Sequence, residues 1–189
     1  RIERLAEAIP LIKRLWTEDN VTAQGRFYQA TDLTITPRPV QAPHPPVMVG
    51  GGGQRVLSLA ARHAEIVALN PRATPEGVPD RRDITAEATA RKLAWVREAA
   101  GARFPDLELN IIALRVVTTA DRAATAHQLA QELGLTPDEV LASPHVLLGS
   151  AEAMAETLRQ RRDRYGISYV TVTEDGLEPF APVMERLAT

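Results

Sequence analysis

Pro45-Pro46-Val47-Met48-Val49-Gly50-Gly51-Gly52-Gly53-Gln54-Arg55 is the stretch that decides the fold. A short, fully apolar run from Val47 to Val49 ends in consecutive glycines, and helical periodicity begins at once with Val56, Leu59, Ala60 and His63. The order is strand, glycine turn, helix. Without a Cβ, glycines can adopt positive φ and let backbone amides approach an anion, while a helix starting there adds unpaired N–H groups and the positive end of its dipole. The stretch therefore reads as a phosphate cradle built from Gly50, Gly51, Gly52 and Gly53, with Arg55 on the first helical turn available for a charge-assisted contact. A tight turn that binds nothing is the other reading. So long a glycine run exceeds what a turn needs, which favours the cradle.

Downstream the alternation repeats. Ile66 to Leu69 is a second buried strand; after a loop rich in proline and charge from Asn70 to Ile84, Thr85 can cap a helix to Ala100, with Gly101 at its stop. Leu107 to Val117 reads as a third strand, and a helix from Asp121 to Leu133 ends at Gly134. Thr136-Pro137-Asp138-Glu139 signals a short helix to Ala142, Ser150 opens a long helix that stops at Gly166, Ser168 to Thr173 is the fourth strand, and Phe180 to Leu187 is a closing helix. Apolar strands each followed by a helix require crossover connections, hence parallel strands covered on both faces. The fold class is α/β, either an open doubly wound sheet or a (β/α)8 barrel of about 250 residues. Four units would be half of such a barrel.

Upstream, Ile2, Leu5, Ile9, Ile12 and Leu15/Trp16 give Arg1 to Trp16 the period of an amphipathic helix, in which Pro10 is expected to make a kink or a restart. Val21 to Leu33 reads as a small hairpin turning at Gly25, an excursion from the core. Pro37, Pro39, Pro43, Pro45 and Pro46 then force an extended, rigid lead-in. The first residue is Arg1, not Met, inside a helical pattern, so the chain is expected to begin within a longer protein.

The 189 residues carry 22 Lys+Arg against 24 Asp+Glu and contain no Cys. Near-neutral charge argues against nucleic acid or a polybasic membrane surface as a partner, and no apolar run nears the roughly 20 residues of a membrane span. Without Cys there is no disulfide framework and no thiolate zinc site, so a cytoplasmic protein is expected. Lysine stands only at Lys13 and Lys92, the arginine bias expected of GC-rich coding.

A dinucleotide fingerprint competes for the glycine turn, since Gly50-x-Gly52 starts it correctly. It fails at Arg55, where the third glycine belongs, and Asn70-Pro71 follow the second strand where a ribose-binding acid belongs.

Several landmarks together resemble the C-terminal portion of the bacterial luciferase-like monooxygenase superfamily. They are Arg1-Ile2-Glu3-Arg4-Leu5-Ala6-Glu7 with Leu15-Trp16, Gly25-Arg26-Phe27-Tyr28, Pro37-Arg38-Pro39-Val40-Gln41, the Val49-Gly-Gly-Gly-Gly turn and Leu59-Ala60-Ala61-Arg62-His63-Ala64. Ala99-Ala100-Gly101-Ala102-Arg103-Phe104 and Gly166-Ile167-Ser168-Tyr169 resemble its branch that uses the deazaflavin coenzyme F420, at home in actinobacteria. The resemblance implies a TIM barrel of which residues 1–189 supply strands 5–8: 1–16 the helix before strand 5, 21–46 the hairpin and proline lead-in, 47–189 the βα units.

It implies an oxidoreductase, F420-dependent in hydride transfer to or from a small organic substrate, with an FMN-dependent monooxygenase using molecular oxygen as the alternative and a non-catalytic relative as a second. Gly52 and Gly53 match the glycines that meet the phosphate-bearing tail of the cofactor, with Gly50, Gly51 and Arg55 as neighbours; Asn70 and Arg72 fall where relatives place substrate contacts. Glu65 stands where the family more often has Asp. Catalytic groups belong to the first four strands, so none is assigned here. The chain by itself is expected to be inactive and its edge strands to invite self-association, with a homo-oligomer at full length.

The histidines His44, His63, His127 and His145 have no metal-ligand spacing and read as structural. Arg159, Arg161, Arg162 and Arg164 read as a solvated helix end, Glu174 and Asp175 as solvated acids after the last strand, and Trp16 and Trp95 as packing residues.

Overall fold

The computed structural model describes residues 1–188. Helix α1 (Ile2–Thr17) runs unbroken through Pro10, so the helix does not restart there. The hairpin β1 (Val21–Gln24) and β2 (Gln29–Leu33) follows. Glu7 of α1 accepts hydrogen bonds from the N–H groups of Phe27 (2.9 Å) and Tyr28 (2.7 Å). Gly25 leaves room for that carboxylate, because a Cβ there would stand 1.9 Å from Glu7 Oε1. Val21 and Ala30 are buried, so the hairpin is packed onto the body and is not the mere excursion expected.

The central sheet contains β3 (Met48–Gly51), β4 (Ile66–Leu69), β5 (Glu108–Ala113) and β8 (Ile167–Val172), parallel and in that order. Helices α2 (Gln54–His63) and α3 (Ala86–Ala100) provide the crossovers from β3 to β4 and from β4 to β5. Val49, Val67, Leu109 and Ile111 point to one face, where they form a core with Leu57, Ala60 and Ala61 of α2 and Leu93 and Val96 of α3. Burial of such side chains stabilises the fold by about 1.5–3 kcal/mol each. On the opposite face Met48, Gly50, Ala68, Asn110 and Tyr169 fall in register, and Met48 and Tyr169 are exposed. Only Asn110 is polar and buried there, its amide donating to Thr171 Oγ1 at 3.0 Å. Strands β3 and β8 are the free edges of this sheet.

The third strand differs from its expected course. The apolar run breaks at Leu114 into β5 and β6 (Arg115–Thr118), and β6 leaves the sheet to pair in parallel with β7 (Val146–Gly149). The break is held by His145 O, which accepts from the N–H groups of Leu114 (2.8 Å) and Arg115 (3.4 Å). Strand β7 has no counterpart in the sequence reading, and the last strand is therefore the sixth parallel one, not the fourth.

The helix signals fare better. Thr85 accepts from Ala88 N–H at the start of α3, Thr136 and Glu139 form a capping box on α5 (Pro137–Ala142), and Ser150 accepts from Ala153 N–H on α6 (Ala151–Tyr165). Gly101 (φ 55°), Gly134 (φ 64°) and Gly166 (φ 75°) end α3, α4 (Arg122–Leu133) and α6 at φ values that favour glycine. Helix α7 (Leu177–Leu187) begins three residues before its expected start at Phe180, since Pro179 lies in a first turn, where its missing N–H costs nothing.

Arg161 corrects a further expectation. It is buried, 7% exposed, and its guanidinium donates to Ser143 O (2.8 Å), Pro144 O (3.0 Å) and Val146 O (2.6 Å), fastening the α5–β7 turn. Its pKa is lowered to about 10 by burial, still far above neutral. Arg162 and Arg164 are exposed, as expected.

Candidate functional site

The glycine turn sits at the C-terminal end of β3, the end at which open and closed α/β sheets place their ligands. None of its glycines has positive φ, which corrects the first of the reasons given for them; the missing Cβ is what matters. A Cβ at Gly50 would stand 2.8 Å from Asn70 Nδ2, at Gly51 2.4 Å from Val56 Cγ1, and at Gly52 2.4 Å from Arg72 N. These glycines have packing reasons within the chain. Gly53 has none: a Cβ there would meet nothing within 4 Å.

Gly53 is the N-cap of α2, with extended backbone (φ −99°, ψ 151°), and no side chain caps this helix end. The first-turn N–H groups of Gln54, Arg55 and Val56 thus have no intrahelical partner, and they follow directly on Gly53 with its open surroundings. That combination of free donors, a positive dipole end and room for close approach suits an anion. Arg55 is exposed and, with Gln54, Arg62 and His63, borders a groove between α1 and α2. The His63 pKa is lowered by partial burial and by Arg62, Lys13 and Arg103, so the imidazole adds no charge at neutral pH.

Asn70 and Arg72 come together with the turn. The Asn70 N–H donates to Gly51 O at 3.2 Å, and Arg72 lies against Gly52 with its side chain half exposed. Behind them is a charged cluster that the sequence reading missed. Lys92 Nζ lies 2.9 Å from Asp83 Oδ2 and donates to Asn70 O and Asp83 O, each at 2.9 Å, while Asp83 Oδ2 accepts from Arg72 N–H at 2.7 Å. Burial alone would raise the Asp83 pKa, but Lys92 and the Arg72 N–H outweigh it and hold the carboxyl below its usual value. Burial lowers Lys92, opposed by its hydrogen bond to Asp83. The signal was a lysine on the apolar face of α3, between Ala88 and Val96, one of only two lysines beside twenty arginines.

A groove of about 570 Å³ opens beyond β4 and β5, lined by apolar Val78, Ile84, Leu114 and Val146 with Arg81 and Arg115. Glu174 and Asp175 are exposed after β8. Glu65 has a structural post: it pairs with Lys13 at 2.5 Å and accepts from Val47 N–H at 2.9 Å, tying α1 to the start of β3. No cluster of His, Asp and Glu suited to a metal occurs among the described residues. No helix among them is long and apolar enough to cross a membrane.

Parallel strands with helical crossovers define an α/β protein, with the glycine turn at the C-terminal end of β3. The chain belongs to the luciferase-like monooxygenase family, whose sequence profile matches residues 1–176. It is 31% identical over 128 residues to an FMNH2-dependent dimethylsulfone monooxygenase of Pseudomonas putida, covering 66% of this chain and 35% of that protein. Over 65 residues it is 43% identical to an F420-dependent glucose-6-phosphate dehydrogenase of Intrasporangium calvum, covering 34% of this chain and 19% of that one. The fold is similar to that of a riboflavin lyase crystallised with modified FMN and riboflavin (TM-score 0.67, 15% identity, 100% of this chain and 57% of that one). It is likewise similar to an F420-dependent secondary alcohol dehydrogenase with an F420-acetone adduct (TM-score 0.64, 16% identity, 99% and 62%). The matches thus span about a third or less of these two curated relatives and under two thirds of the two solved chains.

Proposed function

We propose that this chain is the cofactor-tail-binding part of a luciferase-like oxidoreductase, F420-dependent and acting on a small organic substrate. The observation that carries the reading is the open space at Gly53 above an uncapped helix N-terminus. A phosphate fits it: Gly53 leaves the approach clear, and the N–H groups of Gln54, Arg55 and Val56 supply donors that no side chain among the described residues caps. Gly50, Gly51 and Gly52 shape the turn, and Arg55 adds positive charge at its edge. Asn70 and Arg72, on the neighbouring loop packed against the turn, are the residues assigned to substrate contact.

When bound, F420 would supply hydride chemistry. The chain's own residues anchor and orient: the first-turn N–H groups of α2 and Arg55 hold the charged tail. The exposed Met48 and Tyr169 on one sheet face and the free edges at β3 and β8 support the assignment of the central strands to strands 5–8 of a barrel completed by other residues. On that reading the 189 residues alone show little turnover and self-associate, whereas the whole protein is a cytoplasmic enzyme and a homo-oligomer.

An FMN-dependent monooxygenase is the second reading, favoured by the longer match to the dimethylsulfone enzyme. Fluorescence titration of the full-length protein with FMN and with F420 tests both. Saturable binding of F420 alone supports the first and of FMN alone the second; binding of neither would leave a relative without a cofactor.

A further inference from the structure

The loop from Asn70 to Asp83 begins and ends at one buried cation. Lys92, within α3, is 0% exposed, and its ammonium reaches the Asn70 carbonyl at the start of the loop and both the carbonyl and carboxylate of Asp83 at its end, each at 2.9 Å. The Asp83 carboxylate in turn accepts from Arg72 N–H at 2.7 Å. On its other side the same backbone touches the glycine turn: Asn70 N–H donates to Gly51 O, and a Cβ at Gly52 would meet Arg72 N at 2.4 Å and Pro71 C at 2.7 Å. Asn70, Pro71 and Arg72 are thus gripped between the turn and the ion pair.

Such a pair contributes little net stability, because desolvation of two charges offsets their attraction, and apolar residues of like volume often serve as well. Apolar residues would not fix two carbonyls and an N–H in place. We infer that Lys92 and Asp83 are positioning residues for the glycine cradle: they set the Asn70–Arg72 backbone against Gly51 and Gly52 and, on the reading that the cradle takes a cofactor phosphate, thereby set cofactor affinity. Neither residue touches the ligand.

The test is the double variant Lys92→Met/Asp83→Asn in the full-length protein, which removes both charges together and leaves an amide oxygen to accept from Arg72 N–H. Amide hydrogen exchange without cofactor is read across residues 50–56 and 70–83, with α6 as internal reference, and the Kd for FMN and F420 is measured beside it. Exchange faster by about tenfold in both segments with α6 unchanged, together with a Kd weaker by about tenfold, is expected. Wild-type exchange in both segments would overturn the positioning role whatever the cofactor result. Faster exchange with a wild-type Kd would overturn the link to affinity. If the wild-type protein binds neither cofactor, the proposed function and that link fall, while exchange alone still decides the positioning role. Should the double variant not fold, Asp83→Glu, which leaves Lys92 paired but moves the carboxylate relative to Arg72 N–H, is read in the same way.

Discussion

Gly52 packs directly on the backbone of Arg72, so that a Cβ at Gly52 would stand 2.4 Å from the Arg72 nitrogen. Backbone cannot swing aside as a side-chain end can. The glycine turn and the loop after β4 are therefore one packed unit, and the glycine next in sequence, Gly53, is free of any such constraint.

Gly52→Ala is accordingly expected to destabilise the fold by about 1–3 kcal/mol, the usual range for an added methyl in a packed site. Gly53→Ala should cost less, under about 1 kcal/mol, since its surroundings are open and only the poorer N-cap preference of alanine opposes it. Urea midpoints of the two variants check the contrast; equal midpoints would contradict it.

Arg161 satisfies three carbonyls of the turn before and into β7. Arg161→Met should cost about 3 kcal/mol, since buried acceptors lose charge-assisted donors. Exposed Arg162→Met should stay within about 0.5 kcal/mol. Thermal denaturation of both variants separates the residues that the sequence could not.

His145 gives the protein a pH dependence. It is 0% exposed, Nδ1 donates to Ile112 O at 2.8 Å, and Nε2 has no partner. Burial lowers its pKa to about 4. Between that value and the ordinary 6.5 the unfolded state binds a proton that the folded state does not, so stability is full above about pH 6.5 and is lost as pH falls toward 4. The loss amounts to about 3 kcal/mol at completion. Glu65 and Asp83, whose pKa values are lowered, add losses in the same direction only below 4.5 and 3.8. Denaturant titrations from pH 7 to pH 4.5 should show the slope, and His145→Asn should remove most of it, leaving the smaller loss in the same direction from His63, whose pKa is also lowered; an unchanged slope in the variant would contradict the assignment.

Local chemistry made much of this legible in advance. Thr85, Thr136 and Ser150 cap where their spacing demands, and Gly101, Gly134 and Gly166 stop their helices. What stayed hidden depends on partners distant in sequence. The apolar run through Leu114 carries no mark of its break, because the break is made by a carbonyl of His145. Val146 to Gly149 looks like a linker between two capped helices until β6 comes to pair with it. Arg161 shares its helix end with exposed arginines, and only the carbonyls of the α5–β7 turn distinguish it. The glycine turn between strand and helix was visible, but that Gly53 alone among its glycines lacks a packing reason depends on Asn70, Val56 and Arg72, which crowd the other three.

Gly53→Asp tests the cradle most directly, because it separates folding from binding. An aspartate at this N-cap can accept from the free first-turn N–H groups and favours the helix dipole, so the protein should fold with an unchanged or raised Tm. The same carboxylate fills and charges the space proposed for a phosphate. The account predicts that the Kd of the full-length protein for its cofactor, F420 or FMN, weakens by at least about tenfold while Tm holds. Wild-type affinity in a stably folded Gly53→Asp variant would contradict it.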